Sequence, residues 1–368
     1  MSTKFEYRIS AQSLKQFCAR ALEKLEVSPQ DARIVADVLV EADLRGIPSH
    51  GMARLGKYYA ERIRLGAIIA RPQPRVLSET QTTATIDAGA GLGHPVAYRA
   101  MQEAIKKALN AGTGFVAVRN SNHYGIAGYY AMMALEHNCI GFTMTNGAAL
   151  VVPTYARVPL LGTNPIAVAA PGGKSPPFVL DMSTSTVTWG KLELAERLEK
   201  PIHTGWAIDQ SGRLSNNAHE VMEGVRHRIG GGLLPLGGAS EILGGHKGYG
   251  LAMWVDIFAG ILAGAAYSTM VDVWDPAHPT PSYVGHFFGA WRIDAFRPID
   301  EFNAAMDDLQ RRLEQAPKAD GQERIYIHGQ KELENKERNQ REGIPFPAHI
   351  LADLRALAHD LHVEYDLE

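Results

Sequence analysis

Apolar residues recur at intervals of three and four along the N-terminal part of the chain, a spacing that predicts amphipathic helices. The first helix follows Ser10, whose hydroxyl can cap it, and the second follows Ser28, with Pro29 at its first position. A third helix is predicted over residues 49–64. The C-terminal residues 347–361 show the same spacing, and we expect that helix to return to the N-terminal ones.

The pattern changes after a Pro-Gln-Pro turn at residues 72–74. Short runs rich in β-branched residues then alternate with helix-like stretches, which is typical of an α/β domain. We expect strands at 83–86, 114–118, 141–145, 166–169 and 178–180, and helices at 96–110 and 129–137.

Composition narrows the function classes. A chain of 368 residues is long for a single hydrophobic core, so two domains are expected. The formal net charge of −3 gives no electrostatic footprint for nucleic acid. The N-terminus has no signal-peptide pattern, and Cys18 and Cys139 lie outside any Cys-x-x-Cys pair. We therefore expect reduced, buried thiols and a cytoplasmic location.

One apolar stretch, residues 250–267, is nearly long enough to span a membrane. Asp256 near its middle would cost about 2.5–3.5 kcal/mol in a bilayer. A helix buried in protein on most sides explains the same pattern, with Gly260 and Gly264 allowing close packing. We expect no membrane segment.

A glycine-rich turn at residues 89–93 lies between a predicted strand and a predicted helix, an order that imitates a Rossmann phosphate loop. However, His94 stands where the third glycine of that motif belongs. The next apolar run ends in Arg119 and Asn120, without an acid that could bind a ribose. We interpret these glycines as a structural turn.

The most informative motif is Ser49-His50-Gly51-Met52-Ala53-Arg54. If a helix begins at Ser49, His50 and Arg54 lie one turn apart on one face. A guanidinium can grip a carboxylate through two parallel hydrogen bonds, and an imidazole exchanges a proton near neutral pH. The pair suits a 2-hydroxy acid, in which a carboxylate and a hydroxyl are neighbours. The alternative is a surface histidine beside a solvated arginine.

Two further candidates lie near strand ends, where functional residues are frequent. His123 follows strand 114–118 and is either a second acid/base or substrate ligand, or a turn histidine bonded to the backbone. Asp181 follows strand 178–180 and could orient His50 or bind a ribose. A hydrolase would use Ser49, His50 and Asp181 as a triad, although adjacent residues of a helix point about 100° apart.

Hydroxyl and cationic side chains offer anion ligands elsewhere. The run Ser183-Thr184-Ser185 presents hydroxyls and amides that suit a phosphate. Lys247 lies among glycines at the start of the apolar helix, where a helix N-terminus favours anions. No Walker A spacing is present, the histidines are scattered, and we expect no metal site. The charged residues 330–342 alone indicate a solvated helix.

Several segments together resemble the malate/L-lactate dehydrogenases of type 2, a family that includes sulfolactate, ureidoglycolate and diketogulonate dehydrogenases or reductases and cyclic imino-acid reductases. The matching segments occur in the family's order over residues 43–345: DLRGIPSHGMARL, SNHYGIAGYY, LLGTNPIAVAAP, FVLDMSTST, GGHKGYGLA and GQKELENKERNQREGIP. The resemblance implies a homodimeric, non-Rossmann α/β dehydrogenase. It divides into a helical domain of residues 1–75 plus 335–368 and a larger mixed-sheet domain of residues 76–334 that binds cofactor and substrate.

The resemblance also implies roles for individual residues. His50 is the acid/base, Ser49 and Asp181 assist it, and His123 has that same role in the ureidoglycolate branch. Arg54 is expected to bind the carboxylate of a small 2-hydroxy acid, and Asn164 in the LGTNP segment is a further substrate ligand. The residues expected to bind the cofactor, NAD or NADP, are Asp181, Met182, Ser183, Thr184, Ser185, His246, Lys247, Gly329 and Gln330.

Two segments depart from the family's pattern. His328-Gly329-Gln330 stands where the family commonly has Pro-Gly-Glu, which puts cofactor contacts of that loop in question. Residues 216–228 are richer in histidine and arginine than the family leads us to expect. For residues 330–342 the resemblance indicates a family signature instead of plain solvated surface. A cyclic imine or a diketo sugar acid stays open as substrate, and a hydrolase or a dimeric binding module stays open outside the family.

Overall fold

The computed structural model describes residues 7–271 and 274–367. Its α-helices are α1 Ala11–Lys24, α2 Pro29–Leu44, α3 Glu61–Arg64, α4 Gly93–Ala111, α5 Ala127–Met133, α6 Trp189–Arg197, α7 Ala218–Arg226, α8 Gly245–Val255, α9 Ile299–Glu314, α10 Gln330–Glu342 and α11 Ala348–Leu361. Its strands are β1 Tyr7–Ile9, β2 Arg75–Glu79, β3 Thr83–Asp87, β4 Thr113–Ser121, β5 Cys139–Thr145, β6 Ile166–Ala170, β7 Phe178–Met182, β8 Ala207–Ile208, β9 Leu214–Ser215, β10 Gly232–Leu233, β11 Val284–Arg292 and β12 Ile344–Phe346.

A seven-stranded mixed sheet organises the larger part of the fold, in the order β2-β3-β4-β11-β5-β6-β7. Only β3 and β4 are parallel, and α4 connects them; the other neighbours are antiparallel. The five expected strands are all present, so the α/β class is confirmed. The sequence reading missed β11, although it lies at the centre of the sheet between β4 and β5.

Both faces of this sheet are covered. Side chains alternate across a strand, so neighbouring residues of β11 enter different cores. Phe288 packs with α4 and α5 on one face, whereas Phe287 packs on the other face with α8 and the wide helical turns at Asp256–Leu262. The sheet therefore forms the middle of three layers.

A separate apolar core joins α1, α2 and α11. The predicted caps are present: the Ser10 hydroxyl accepts a hydrogen bond from the Ser13 N–H at 3.0 Å, and the Ser28 hydroxyl accepts one from the Asp31 N–H at 3.2 Å. The C-terminal helix returns to the N-terminal ones as expected, and β12 pairs with β1. However, α10 runs unbroken through position 335, so a domain boundary at that residue would cut a helix.

The predicted helix over residues 49–64 is wrong as one continuous α-helix. Short 3₁₀ turns at Pro48–His50 and Met52–Arg54 are separated at Gly51, and wide π-type turns at Leu55–Ala60 lead into α3. The buried carboxylate of Asp43 explains the break. It accepts the Met52 N–H at 2.7 Å, which an α-helix would direct to the carbonyl four residues earlier.

A small three-stranded sheet, β9-β8-β10, packs with α6 and α7 around its own apolar cluster. Helix α7 of this unit contains most of the histidine- and arginine-rich residues 216–228. Val221 and Val225 of α7 are buried, whereas the exposed His219 pairs with Glu196 of α6 at 2.7 Å. The unusual charge is thus the outer face of an amphipathic helix.

The apolar stretch 250–267 is less buried than expected. Trp254, Ile257, Ile261 and Leu262 are 37–59% exposed, so one face of the segment is uncovered in the single chain. Asp256 in its middle is buried and accepts the Ser268 N–H at 3.3 Å. Within residues 7–271 and 274–367, helices fall short of the length and apolar character that crossing a bilayer requires.

Candidate active site

His50 and His123 lie side by side, although they are far apart in the sequence. Their ring centroids are 5.5 Å apart and their planes differ by 27°. Tyr58 contacts both sides of this site, with its ring 5.3 Å from that of His123 and 5.7 Å from the guanidinium carbon of Arg54. The structure therefore brings three sequence-predicted residues, His50, Arg54 and His123, into one site.

Hydrogen bonds from neighbouring residues hold His50 and Arg54. The hydroxyl of Ser49 and Nδ1 of His50 are 2.9 Å apart, and Nε of Arg54 donates to the Ser49 carbonyl at 2.7 Å. Burial, and secondarily the Arg54 charge, lowers the pKa of His50 to about 4. At neutral pH the imidazole of His50 is therefore uncharged and can accept a proton.

His123 is also held neutral. Its Nδ1 lies 2.7 Å from the Tyr59 hydroxyl and accepts a hydrogen bond from the Gly125 N–H at 3.3 Å. Burial is the main cause that lowers the pKa of His123 well below its usual value, and His50, His94, Arg54 and Arg62 add to it through their charges.

Asp43 fixes the turn that carries His50 and Arg54. Besides accepting the Met52 N–H, its carboxylate packs so closely on Gly51 that a Cβ there would lie 2.0 Å from Oδ1. Burial raises the pKa of Asp43 to about 8. Only a glycine at position 51 leaves room for this carboxyl group.

Helix α10 caps the C-terminal end of α2, just before the turn. The amide of Asn339 donates to the Leu44 carbonyl at 2.9 Å, and that of Asn335 donates to the Arg45 carbonyl at 3.3 Å. Asn339 is 3% exposed. The charged residues 330–342 are therefore not simply a solvated helix, because one of their faces supports the site.

A cleft of about 260 Å³ is lined in part by residues that are close to this site in the sequence. Ile47 and Ile126, each three residues from a site histidine, line it together with Arg45, Asp181 and Lys331. The Asp181 carboxylate accepts the Gly128 N–H at 2.7 Å and faces the cleft. Desolvation by the surrounding protein raises the pKa of Asp181 to about 6.

The chemistry of the cleft fits a nicotinamide dinucleotide. A carboxylate acceptor such as Asp181 suits ribose hydroxyls, and the cation Lys331 suits a pyrophosphate. Glu332 lines the same cleft, and Arg45 is already paired with Glu41 at 2.7 Å. Gly329 closes one wall: its φ is +93°, and a Cβ there would lie 2.9 Å from Cβ of Val179. A side chain at position 329 would therefore clash with Val179 in the wall of the cleft.

The remaining predicted cofactor residues are placed unequally. Met182 and Ser183 are half-buried beside Asp181, but the hydroxyls of Thr184 and Ser185 are buried and donate to backbone carbonyls. Thus only the first part of this run is accessible. The amide of Gln330 is bound within its own loop, where it accepts the Ile327 N–H at 2.9 Å.

His246 and Lys247 are exposed in the first turn of α8. Leu236 connects that turn to the β7 end. Its N–H donates to the Thr184 carbonyl at 2.9 Å, and a Cβ on Gly248 would lie 2.1 Å from its carbonyl oxygen. The two segments predicted to bind the cofactor thus pack through one intervening residue.

Asn164 lies beside α8. It is fully buried, and its amide donates to the Ala252 carbonyl at 2.9 Å. This bond ties the start of β6 to α8. Its Oδ1 atom is buried without a hydrogen-bond partner, and the predicted contact of Asn164 with a substrate stays a prediction.

The glycine turn at residues 89–93 is structural, as the sequence indicated. A Cβ on Gly93 would lie 2.1 Å from the Asn122 carbonyl, so chain already covers the N-terminus of α4. His94 in the next position is fully buried.

The alternative triad is not assembled. His50 bonds to Ser49, but Asp181 bonds to the Gly128 backbone instead of to His50. In the described parts of the chain, no group of three or more histidine, cysteine or acidic side chains is placed to hold a metal ion.

Sequence reasoning missed several residues that shape the site, namely Asp43, Tyr59 and Arg62. Arg62 is buried with its guanidinium carbon 3.6 Å from the Tyr58 ring centroid and 4.0 Å from that of Trp274. Tyr59 is fully buried and meets His123 across 64 positions of sequence. No local pattern signals such a contact.

The sequence is similar to those of known dehydrogenases. Residues 9–355 match the sequence profile of the malate/L-lactate dehydrogenase family. The chain is 45% identical over 357 residues to the malate dehydrogenase of Pyrococcus abyssi, covering 97% of this chain and 96% of that protein. It is 36% identical to the malate/(S)-sulfolactate dehydrogenase of Methanothermus fervidus, covering 97% and 98%.

Two further relatives carry a cofactor in their names. The NAD(+) ureidoglycolate dehydrogenase of Escherichia coli K12 is 30% identical, with 92% of both chains covered. The NADP(+) (2R)-3-sulfolactate dehydrogenase of Chromohalobacter salexigens is 29% identical, with 95% of this chain and 98% of that protein covered.

The fold agrees as well. The crystal structure of malate dehydrogenase from Entamoeba histolytica matches with a TM-score of 0.94 at 34% identity, covering 98% of this chain and 99% of that one. The profile match spans nearly the whole chain. The chain therefore belongs to the malate/L-lactate dehydrogenase family.

Proposed function

We propose that this protein is an NAD- or NADP-dependent dehydrogenase that interconverts a small 2-hydroxy acid of the malate, lactate or sulfolactate type with its 2-keto acid. One observation carries the proposal. An uncharged His50 lies beside His123, and Arg54 lies on the next turn of the same segment. A cleft that contains Asp181 is lined by Ile47 and Ile126, each three residues from one of these histidines. The names of the relatives support the same reaction.

In oxidation, His50 accepts the proton of the substrate hydroxyl, and Arg54 holds the neighbouring carboxylate. General acid–base catalysis of this kind contributes about 10²–10⁴-fold to the rate. Ser49 orients His50 through the hydrogen bond at Nδ1. A nicotinamide bound in the cleft would supply the hydride acceptor for substrate C2.

Asp181 and the Gly329 turn would hold the cofactor in the cleft, and Met182, Ser183, His246 and Lys247 extend this surface. The carboxylate of Asp181 would accept hydrogen bonds from a ribose. Gln330 would act indirectly, because its buried amide shapes the loop around Gly329.

The test follows absorbance of the reduced cofactor. NADH and NADPH are each supplied with oxaloacetate, pyruvate, sulfopyruvate and a cyclic imino acid. We expect turnover with at least one of the three keto acids, a large loss of kcat in His50→Gln, and a raised KM for the acid in Arg54→Lys, which keeps the charge but loses the two-pronged contact. Turnover of the cyclic imino acid alone would show that the substrate is an imine and not a 2-keto acid. Silence with all four would refute the proposal.

We also propose that the protein is a homodimer in the cytoplasm. The apolar face of Trp254, Ile257, Ile261 and Leu262 is too exposed for a typical lone subunit, and a second copy would cover it. Free, buried Cys18 and Cys139 suit a reducing compartment.

For the domain organisation, we propose a helical part of residues 1–75 plus the C-terminal segment and an α/β part in between. The separate apolar cores of the helical layer and of the sheet support this division. Because α10 begins at Gln330, we place the second boundary at the Gly329 turn instead of at residue 335.

A further inference from the structure

The hydrogen bonds at His123 determine which of its ring nitrogens carries the proton. The backbone N–H of Gly125 donates to Nδ1 at 3.3 Å. A backbone N–H can only donate, so Nδ1 must be the acceptor and must lack a proton. In a neutral imidazole the proton is then on Nε2.

Tyr59 reinforces this assignment. Its hydroxyl lies 2.7 Å from the same Nδ1, and the ring is fully buried. Burial raises the pKa of Tyr59 well above its usual value, so the phenol stays protonated. A protonated phenol has a hydrogen to donate, and at 2.7 Å it shares the single lone pair of Nδ1 with the longer contact from the Gly125 N–H.

Nε2 of His123 is the nitrogen left for a ligand. It makes no hydrogen bond within residues 7–271 and 274–367, and the ring is half-buried. His94 beside it differs, because both of its nitrogens are buried without a partner. His123 thus has an N–H that makes no hydrogen bond to any described residue, on a ring that packs beside those of His50 and Tyr58.

We propose that Tyr59 and the Gly125 N–H lock His123 as the Nε2–H tautomer, so that His123 donates a hydrogen bond to the substrate's C2 oxygen while His50 alone exchanges the proton. This division of roles rests on the proposed dehydrogenase function. Tyr59 is a positioning residue, because it acts only through His123.

The step balances with these roles. In oxidation, the C2–H bond breaks and its electron pair leaves as hydride to the nicotinamide. The O–H bond breaks and its proton passes to Nε2 of His50, since Nδ1 faces Ser49. The electrons of the O–H bond form the C2=O double bond. His123 neither gains nor loses a proton. Its N–H stabilises the negative charge that develops on the C2 oxygen.

Burial is the main reason why His123 stays uncharged. The groups that lower its pKa further are His50, His94, Arg54 and Arg62, and Tyr58 and Tyr59 pack against the ring. Once His50 has taken the proton, a second imidazolium 5.5 Å away would be repelled. His50 therefore alternates between its neutral and protonated forms, whereas His123 stays neutral.

A measurement without turnover tests the tautomer. The full-length protein is labelled with ¹⁵N in its histidine rings, and the His123 signals are assigned by their loss in His123→Gln. At pH 7 we expect a pyridine-type Nδ1 and a pyrrole-type Nε2. A protonated Nδ1 or an imidazolium would overturn the proposal, whatever the enzyme's substrate proves to be.

Kinetics tests the division of roles. His123→Ala removes the donor and should lower kcat by ~10²–10³-fold. His123→Gln restores an N–H and should stay within ~10-fold of the wild type, because one neutral hydrogen bond changes little. At position 50, Gln should give no such rescue, and the acid limb of the kcat/KM profile should vanish. If His123→Gln abolishes that limb and His50→Gln keeps it, the roles are reversed.

Tyr59→Phe tests the positioning role of Tyr59, because it removes one donor to Nδ1 and leaves the Gly125 N–H. We expect a fall in kcat of up to ~10-fold, an unchanged KM for the acid, and a measurable fraction of the other tautomer in the ¹⁵N spectrum. An unaltered spectrum and unaltered kcat would exclude Tyr59 as a positioning residue. Absence of any turnover in the wild type would refute the dehydrogenase function, while the tautomer result would stand separately.

Discussion

Replacing Gly51 by alanine tests how the site's turn is held. The added Cβ would lie 2.0 Å from Oδ1 and 2.2 Å from Cγ of Asp43, both well inside van der Waals contact. Gly51 has a φ of −96°, which alanine also adopts. The cost therefore comes from the contact with the carboxylate and not from backbone strain.

The magnitude has two parts. Overpacking of a dense interior costs about 1–3 kcal/mol. Displacing the carboxylate also leaves the Met52 N–H without its acceptor, which costs about 1–3 kcal/mol more. We expect Gly51→Ala to lose about 2–6 kcal/mol of unfolding free energy. A shift of about 1 Å in His50 and Arg54 should in addition lower kcat/KM by about 10²-fold.

The assay combines urea unfolding with steady-state kinetics. Gly56→Ala is the control, because its Cβ would meet only Leu357 at 3.9 Å, an ordinary contact. Asp43→Ala removes the carboxylate, so in that background Gly51→Ala should cost almost nothing further, with a coupling of about 2–6 kcal/mol. If the two changes add within about 0.5 kcal/mol, or if Gly51→Ala behaves like the control, the reasoning is refuted.

Further predictions concern the support of the site, the cleft, the base and the dimer. Asn339→Ala should lose about 1–2 kcal/mol in urea unfolding, because a buried carbonyl of α2 at Leu44 loses its donor; equal stability would show that the cap is dispensable. The pKa of Asp181 is raised to about 6, so its contribution to the unfolding free energy is present below pH 4 and is lost as the pH rises through 6. Affinity for the cofactor should increase over the same range, because the carboxylate forms. Asp181→Asn should abolish both pH dependences, which are measured by unfolding and by fluorescence titration. The pKa of His50, lowered to about 4, predicts that kcat/KM for oxidation rises through pH 4 and not through pH 6.5; a midpoint near 6.5 would contradict the burial argument. Ile261→Glu should yield monomers in light scattering, and an unchanged dimer would move the interface elsewhere.

Local signals in the sequence predicted much of the fold. Ser10 and Ser28 cap their helices as expected, because a hydroxyl needs only a neighbouring N–H to do so. In contrast, β11 was missed, because its partners β4 and β5 are distant in the sequence. A central strand covered on both faces lacks the alternation of apolar and polar residues that marks a strand with one exposed face.

The site was predicted in the same uneven way. His50 and Arg54 were found because they share one short motif, yet the turn that carries them is broken by Asp43, a buried acid that no helical periodicity reveals. Asn164 was assigned to the substrate because its motif matches the family, but packing against α8 buries it. The meeting of Tyr59 with His123 depends on tertiary structure and could only come from the fold.

The central claim is that His50 and Arg54 present a 2-hydroxy acid to a nicotinamide, so that hydride leaves C2. The most direct test supplies malate, lactate or sulfolactate deuterated at C2, together with NAD⁺ or NADP⁺, and analyses the products by mass spectrometry. We predict that the deuterium is recovered in the reduced cofactor and is absent from the keto acid and the solvent. Release of the deuterium into water, or turnover that leaves the deuterium on C2 of the organic acid, would contradict the account.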